Sequence, residues 1–397
     1  MDSTTPWYNN STPDSYKNQS DQYGVIIIPL FLAVTTVAVI FTILWKTCRR
    51  KREPDRAPFV GLEASPTGQN EYIATVAESI LSMRDPGLSQ WEMPSDSTVE
   101  DLQFIQAGRY GAVSRGKLVQ GGSSTAVVIK ALRDSPTHLE AKDFLDRVDF
   151  HAKVCKHDNL VRMLFCQTQC FPMYLVLKAS SPGNLLHFLW KLRKADAAST
   201  VQADQFSEKS VYSIAQQVAA GLDYLLSEHQ LIHGDVAARN ILISDRLAVQ
   251  VSGLGLAFEA YQTGAVPRYR AAEVPLKWLA PERVLKRPMT ARSDVWSFGI
   301  LLYELITLGS APYPELEPPD VFKKIQRFYR MKRPDNCGEL LYDLMKQCWM
   351  WHPEDRPPFP GVIKHLDSHK HSADTKTLTA EASMDILRYS KLAGVLP

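Results

Sequence analysis

A pair of glycines and a lysine have the spacing that phosphate binding requires. Gly108 and Gly111 lie between two short apolar runs, and a backbone without side chains can approach phosphate groups closely. Ile105 precedes the pair and Val113 follows it, so both could cover a nucleobase. Lys130 ends a strand-like run 17 residues after Val113. Taken alone, the glycine pair more commonly marks a hairpin, and a lysine at a strand end is usually a surface group whose long side chain reaches solvent.

The segment 231–242, LIHGDVAARNIL, is more specific. It resembles the catalytic loop of protein kinases, and its Ala-Ala-Arg-Asn form is typical of the tyrosine-specific branch. The resemblance continues in the order expected of that family through VPLKWLAPE at 274–282, SDVWSFG at 293–299, CW at 348–349 and DRP at 355–357. It covers residues 98–368, and it is closest to kinases that carry one membrane span.

The resemblance implies an α+β, two-lobed protein-kinase fold with nucleotide in the cleft. Lys130 would hold the α- and β-phosphates of ATP, Asp235 would orient the acceptor hydroxyl and Asn240 would bind Mg²⁺ or Mn²⁺. The resemblance also implies nucleotide contacts for four residues of the glycine loop: Ile105, Gly108, Gly111 and Val113. It implies structural roles for three more residues, since Glu282 would form an ion pair with Arg356 and Asp294 would tether the catalytic loop.

Several positions depart from the family pattern. Gly253 stands where the metal-binding aspartate is expected, and a glycine offers no carboxylate to a hard cation. Gly234 replaces the arginine that pairs with a phosphorylated activation segment. The helical stretch 144–150, which should supply a glutamate to Lys130, contains none, and the expected slot falls on Arg147 or Val148. A register shift would instead bring in one of two shorter carboxylates, Asp146 or Asp149.

Two functional hypotheses follow from these departures. The first is a weakly active or inactive tyrosine-kinase-like protein that signals as a scaffold. The second is an active tyrosine kinase that uses Lys130, Asp235 and Asn240 with metal held unconventionally. The first predicts ATP alone or no cofactor, and the second predicts ATP with Mg²⁺ or Mn²⁺.

Residues 25–45 form an uncharged, apolar stretch of 21 positions, long enough to cross a bilayer as a helix of roughly 30 Å. Basic residues follow it at once in the run KTCRRKR, whereas the preceding residues 1–24 hold one lysine against three aspartates. The positive-inside rule therefore predicts a single-pass membrane protein with most of the chain in the cytosol. Glycosylation acceptors in the leader agree with this orientation: Asn9, Asn10 and Asn18.

The composition predicts five segments. They are a short extracellular or lumenal segment 1–24, a transmembrane helix 25–45, a juxtamembrane linker 46–97, the kinase-like domain 98–368 and a cytosolic tail 369–397. The 45 basic and 43 acidic residues give a net charge of +2, which argues against nucleic acid as a partner. The predicted membrane is the plasma membrane or an endomembrane.

Four tyrosines are candidate phosphorylation sites: Tyr72, Tyr261, Tyr269 and Tyr389. Phosphate would add about −1.5 to −2 charge to each and could recruit cytosolic signalling proteins with phosphotyrosine-binding domains. Tyr389, in the tail sequence LRYSKL, has leucines at −2 and +3 and resembles an inhibitory phosphotyrosine motif. The alternative for this stretch is an amphipathic tail helix.

Overall fold

The computed structural model describes residues 79–194, 206–265, 274–380 and 384–393, all within one compact unit, Gly68–Pro397. A five-stranded antiparallel sheet comes first, in the spatial order β1-β2-β3-β5-β4. Its strands are β1 (Ser97–Ala107), β2 (Ala112–Gln120), β3 (Ser123–Ala131), β4 (Met163–Gln167) and β5 (Tyr174–Lys178). Val113 of β2 pairs with Lys130 of β3, so the register of this hairpin brings the glycine loop beside the lysine.

One long helix, α1 (His138–Val154), accompanies this sheet. It begins with a capping box, in which the Thr137 hydroxyl accepts from the Glu140 amide at 3.2 Å and the Glu140 carboxylate accepts from the Thr137 amide at 2.9 Å. Residues 79–93 of the predicted linker lie against this lobe and contribute Ile80 and Leu88, each 1% exposed, to the core.

The remaining described elements form a helical lobe with a small three-stranded sheet. The sheet contains β6 (Pro182–Asn184), β7 (Ile241–Ser244) and β8 (Val249–Val251). The helices are α2 (Leu185–Lys194), α3 (Glu208–His229), α4 (Gly255–Thr263), α5 (Pro281–Val284), α6 (Ala291–Ile306), α7 (Pro318–Gln326), α8 (Glu339–Cys348), α9 (Phe359–His369) and α10 (Ile386–Ala393). The predicted strand-rich lobe followed by a larger helical lobe is confirmed.

Two helices explain how the helical lobe is held together. Helix α3 buries residues at helical spacing along one face, from Val211 through Val218 to Leu225. Helix α6 is buried on all sides from Ser293 to Ile306, as expected of the central helix of a domain. The catalytic-like loop lies against α6, so the core helix fixes the position of that loop.

No helix in the described part of the chain is long and apolar enough to cross a membrane. The predicted span, residues 25–45, lies outside the described residues, as do Asn9, Asn10, Asn18, Tyr72 and Tyr269. The transmembrane helix and the segment boundaries therefore stay predictions.

Candidate active site

The Asp294 side chain of α6 fixes the loop 233–240 through hydrogen bonds to its backbone. The Asp294 carboxylate accepts hydrogen bonds from the backbone amides of His233 and Gly234, both at 2.8 Å. The His233 ring is hydrogen-bonded through Nε2 to the Ser252 carbonyl at 2.7 Å, which joins the loop to the segment containing Gly253. Because Asp294 and His233 are buried, these contacts fix the backbone of the loop.

Asp235 and Asn240 are brought together within this loop. The Asn240 amide nitrogen donates to the Asp235 carboxylate at 2.7 Å and to the Asp235 backbone carbonyl at 2.8 Å. Arg239 forms an ion pair with the same carboxylate. Asp235 therefore remains available as a hydrogen-bond acceptor, but its charge is shared with a guanidinium.

The charge that acts on Lys130 is that of Arg147, a cation, where the family pattern has a carboxylate. No acidic side chain of the described residues lies within ion-pair distance of its Nζ. Burial, with a further contribution from the positive charge of Arg147, lowers the pKa of Lys130 to about 8. Lys130 therefore loses its proton at a lower pH than an exposed lysine does.

Arg147 fills the glutamate slot of α1. Its Nη1 donates to the Leu254 carbonyl at 3.2 Å, and its guanidinium stacks over the Phe258 ring at 4.6 Å. Burial lowers the pKa of Arg147 as well. The shorter carboxylates that a register shift would have supplied point elsewhere: Asp146 binds Lys142, and Asp149 binds Lys153. That alternative is wrong, because both carboxylates are engaged along α1.

The glycine loop is folded onto α1. The Tyr110 hydroxyl donates to Asp143 at 2.8 Å, and the Tyr110 ring packs edge-on against Phe144 with centroids 5.5 Å apart. Arg109 forms an ion pair with the same Asp143 carboxylate at 3.0 Å. An added Cβ at Gly111 would lie 2.6 Å from the Ala131 carbonyl oxygen, so this close approach requires glycine.

The other two apolar members of the predicted nucleotide site lie on the strands that flank this loop. Ile105 on β1 is 52% exposed, and Val113 on β2 is half-buried. The Gly108 amide donates to the Gly111 carbonyl at 2.7 Å, which closes the turn between the two strands.

Comparison with known proteins gives the family of this site. The family model described as protein tyrosine and serine/threonine kinase matches residues 99–366. The chain belongs to the protein kinase family. It is 37% identical over 394 residues to the tyrosine-protein kinase STYK1 of Homo sapiens, covering 95% of this chain and 93% of that protein. STYK1 of Mus musculus is 36% identical over 392 residues, with 94% and 91% covered. Fibroblast growth factor receptor 1 of Xenopus laevis is 33% identical over 299 residues, with 71% and 37% covered.

The kinase domain has no room for a side chain at Gly253. Its φ is +74°, and an added Cβ would lie 2.5 Å from Asn240 Cγ and 2.6 Å from Asn240 Oδ1. The Asn240 side chain therefore lies where the Cβ of an aspartate at this position would be. Gly234 is similar, with a φ of +80° and an added Cβ 2.8 Å from both Leu256 Cδ1 and Met289 Sδ. A side chain at either position would therefore require its neighbours to move.

The activation segment begins with helix α4, which packs on α1. Its Tyr261 hydroxyl donates to Asp149 at 2.9 Å, and its Gln262 amide donates to Asp143 at 2.9 Å. Burial and the bond to Asp149 raise the pKa of Tyr261 to about 12. Asp143 thus connects both the glycine loop and the activation segment to helix α1. No local sequence pattern indicates this connection.

The structural pair and the tail tyrosine lie deep in the helical lobe. Arg356 binds Glu282 through two hydrogen bonds of 2.8 Å. Tyr389 is 4% exposed on α10, and its hydroxyl donates to the buried Glu304 at 3.2 Å.

The sequence did not indicate the roles of Tyr110, Asp143 and Glu304. The one sequence feature that could have indicated such a contact was the aromatic Tyr110 at the tip of the glycine loop.

We expect Arg147→Glu to raise the pKa of Lys130 by about 1–3 units, because it replaces a neighbouring cation with an anion. The pH dependence of amine-specific labelling of Lys130 in the full chain measures this change. Arg147→Met, which removes the cation without adding an anion, should give an intermediate value. If all three proteins titrate alike, the charge of Arg147 does not act on Lys130.

Proposed function

We propose that this chain is a membrane-anchored, tyrosine-kinase-like signalling protein that acts as a scaffold through its kinase domain and its tyrosines, with phosphoryl transfer weak or absent. The observation that carries the proposal is the packing at Gly253. The residue that stands where the metal-binding aspartate is expected has no carboxylate, and the Asn240 side chain lies where the Cβ of that aspartate would be. A missing group that stabilises transition-state charge typically lowers the rate by about 10²–10³.

The residues present do not fit a kinase metal ion. The described residues contain no group of three His, Cys, Asp or Glu side chains that could hold one. Asn240 offers one neutral amide oxygen, and Asp235 is already bound by Arg239 and by the Asn240 amide. Since Mg²⁺ requires near-octahedral oxygen coordination with carboxylate or phosphate ligands, this donor set is insufficient.

The cleft is better suited to a nucleotide without metal. Lys130 and Arg147 are two mostly buried cations, and neither has a carboxylate partner among the described residues. Lys130 would gain from a polyphosphate, because burying a charge without an opposite charge is costly, whereas Arg147 already donates to the Leu254 carbonyl and stacks over Phe258. ATP bound without transfer is therefore the cofactor state that agrees best with this geometry.

An active tyrosine kinase is the alternative, and one observation favours it. The catalytic loop retains Asp235 and Asn240, and its backbone is held by Asp294. A loop assembled in this way could still orient an acceptor hydroxyl. Transfer would then depend on Lys130, Asp235 and Asn240, with the metal held by groups outside the usual pattern.

The membrane anchor and the partners rest on the sequence. The apolar stretch 25–45 with its basic flank supports a single-pass protein whose kinase domain faces the cytosol. The relatives named STYK1 cover most of this chain, including the region before the kinase domain. Tyr72, Tyr261, Tyr269 and Tyr389 would dock phosphotyrosine-binding domains after phosphorylation by another tyrosine kinase.

The deciding experiment is phosphate transfer from labelled ATP by the full chain in lipid nanodiscs, with Mg²⁺ and separately with Mn²⁺. We expect incorporation that differs by less than about twofold between the wild type, Asp235→Asn and Lys130→Met, because the transition-state groups are incomplete. Incorporation on tyrosine that both substitutions abolish would overturn the scaffold proposal and establish the enzyme.

A further inference from the structure

The carboxyl-terminal helix α10 inserts a tyrosine into the helical lobe. We define the tail socket as Trp190, Trp278 and Glu304. The Tyr389 ring packs edge-on against Trp190 with centroids 5.0 Å apart and lies 6.3 Å from the Trp278 ring. Tyr389 is 4% exposed, whereas Leu387 on the same helix is 72% exposed. The helix therefore presents Tyr389 inward as its main anchor.

Glu304 connects the tail socket to the catalytic loop. Its Oε1 accepts from the Tyr389 hydroxyl at 3.2 Å. Its Oε2 accepts from the backbone amide of Ala238 at 2.9 Å and from Trp278 Nε1 at 3.0 Å. Glu304 is fully buried, so each of these donors offsets part of the cost of burying the carboxylate. The tail and the catalytic loop thus share one buried acceptor.

Arg239 forms a second connection between the socket and the loop. Its guanidinium stacks over Trp278 at 4.6 Å and forms the ion pair with Asp235. A change in the position of Trp278 would therefore act on the residue that holds the Asp235 carboxylate. Tyr389 packs against the same indole group from the tail side.

The backbone of α10 is tethered beside the socket. Lys277 is 1% exposed, and its Nζ donates to the Leu392 carbonyl of α10 at 2.5 Å and to the Tyr313 carbonyl at 2.9 Å. The tether binds an orphan carbonyl at the end of the helix. At the other end, the Asp385 carboxylate accepts from the Arg388 amide at 2.6 Å. That bond caps the helix, whereas Lys277 and Tyr389 join the helix to the lobe at its end and in its middle.

We propose that the tail socket is a binding site for the unphosphorylated tyrosine of this chain's own tail, and that its occupancy sets the position of the catalytic loop. A phosphate on Tyr389 would bring about −1.5 to −2 charge against the Glu304 carboxylate in a closed space, and Arg239, a cation that acts on Tyr389 there, is already paired with Asp235. Phosphorylation and seating therefore exclude each other. The released helix would expose Tyr389 next to Ile386 and Leu387, which are already on the surface.

The proposal stands apart from the question of catalysis, because it concerns the position of the tail and the loop in an enzyme or in a scaffold. Hydrogen exchange of the full chain in nanodiscs tests the first half. In Tyr389→Ala, we expect exchange of the α10 amides and of the Ala238 amide to rise at least about tenfold, because the anchoring ring is gone. Leu387→Ala, a matched truncation on the exposed face, should stay within about twofold of the wild type.

Two results of this exchange experiment would overturn the proposal. Equal exchange in Tyr389→Ala and Leu387→Ala would show that the ring does not anchor the helix. Faster exchange of α10 with an unchanged Ala238 amide would show that the tail is seated but not coupled to the loop. Tyr389→Phe keeps the ring and loses the hydroxyl, so a selective rise at Ala238 would assign the coupling to the Glu304 bond.

Peptide binding tests the second half. Peptides of residues 384–393, with tyrosine or with phosphotyrosine at 389, are titrated into full-length Tyr389→Ala, whose socket is vacated. We expect the tyrosine peptide to bind at least about tenfold more tightly and to restore protection of the Ala238 amide. Equal or tighter binding of the phosphotyrosine peptide, with Arg239 taking the phosphate, would overturn the exclusion. Failure of both peptides to bind would overturn the socket as a binding site.

Discussion

Replacing Arg356 with methionine is expected to lower the free energy of unfolding by about 3–5 kcal/mol, because it leaves the Glu282 carboxylate buried without its counter-charge. Both side chains are buried, and two hydrogen bonds of 2.8 Å join them. Arg356 also donates to the carbonyls of Met350 and Arg292, at 2.9 Å and 2.8 Å. One substitution therefore releases contacts from three parts of the helical lobe.

Thermal and denaturant unfolding of the full chain, followed by tryptophan fluorescence, measures this loss. Lys364→Met, an exposed substitution of the same kind on α9, should change the free energy of unfolding by less than about 0.5 kcal/mol. The double variant Glu282→Leu with Arg356→Met removes both charges, and we expect it to recover much of the loss. A single variant as stable as the control would mean that the pair contributes nothing.

The same pair makes stability depend on pH in a stated direction. Burial opposes ionisation of Glu282, but the hydrogen bonds and charge of Arg356 outweigh it and hold the pKa below its usual value of 4.5. A depressed folded-state pKa contributes stability that is present above the unfolded pKa and is lost as pH falls through the folded one. Wild type should therefore lose stability below about pH 4.5, and Arg356→Met should lose less over the same range.

The fold could be predicted from sequence because its motifs are local and ordered. The segment around Asp235 and Asn240 carries its own signature within ten residues or so. The replacement of the usual glutamate was also readable, since α1 offers no Glu near Arg147. The register of this helix could not be predicted: counting along the chain left Arg147 and Val148 open, and in the structure the charge of Arg147 acts on Lys130 whereas Val148 is completely buried.

Contacts between distant segments could not be predicted. Glu304 and Tyr389 are 85 residues apart, and no periodic pattern pairs them. Asp143 gathers Tyr110 and Gln262, from before and after it in the chain, because three elements meet at one helix face. Residues 79–93 show no sustained apolar period, because Pro86 and Gly87 interrupt the pattern, yet Ile80 and Leu88 are core residues. Such pairings depend on tertiary packing, which a single sequence does not display.

Restoring the missing carboxylate with Gly253→Asp is expected to leave phosphate transfer within about twofold of the wild type. If only a carboxylate were missing, the gain would be about 10²–10³. The added Cβ would lie 2.5 Å from Asn240 Cγ, at a φ of +74° that strains any residue with a side chain. Asn240 must then leave Asp235, so one metal ligand is gained as the other loses its position. We expect a loss of about 1–3 kcal/mol in the free energy of unfolding from this strain.

Gly255→Asp is the matched control, since it adds the same charge two residues later, where nothing lies within 4 Å of the added Cβ. That variant should match the wild type in stability and in transfer. Transfer from labelled ATP and thermal unfolding are measured on all three full-length proteins. A rise of tenfold or more in Gly253→Asp alone, abolished by a further Asp235→Asn, would mean that Asn240 yields readily and that the cleft lacks a single ligand. The packing at Gly253 argues instead that the position of Asn240 depends on the glycine, so that restoring the aspartate alone does not rebuild the metal site.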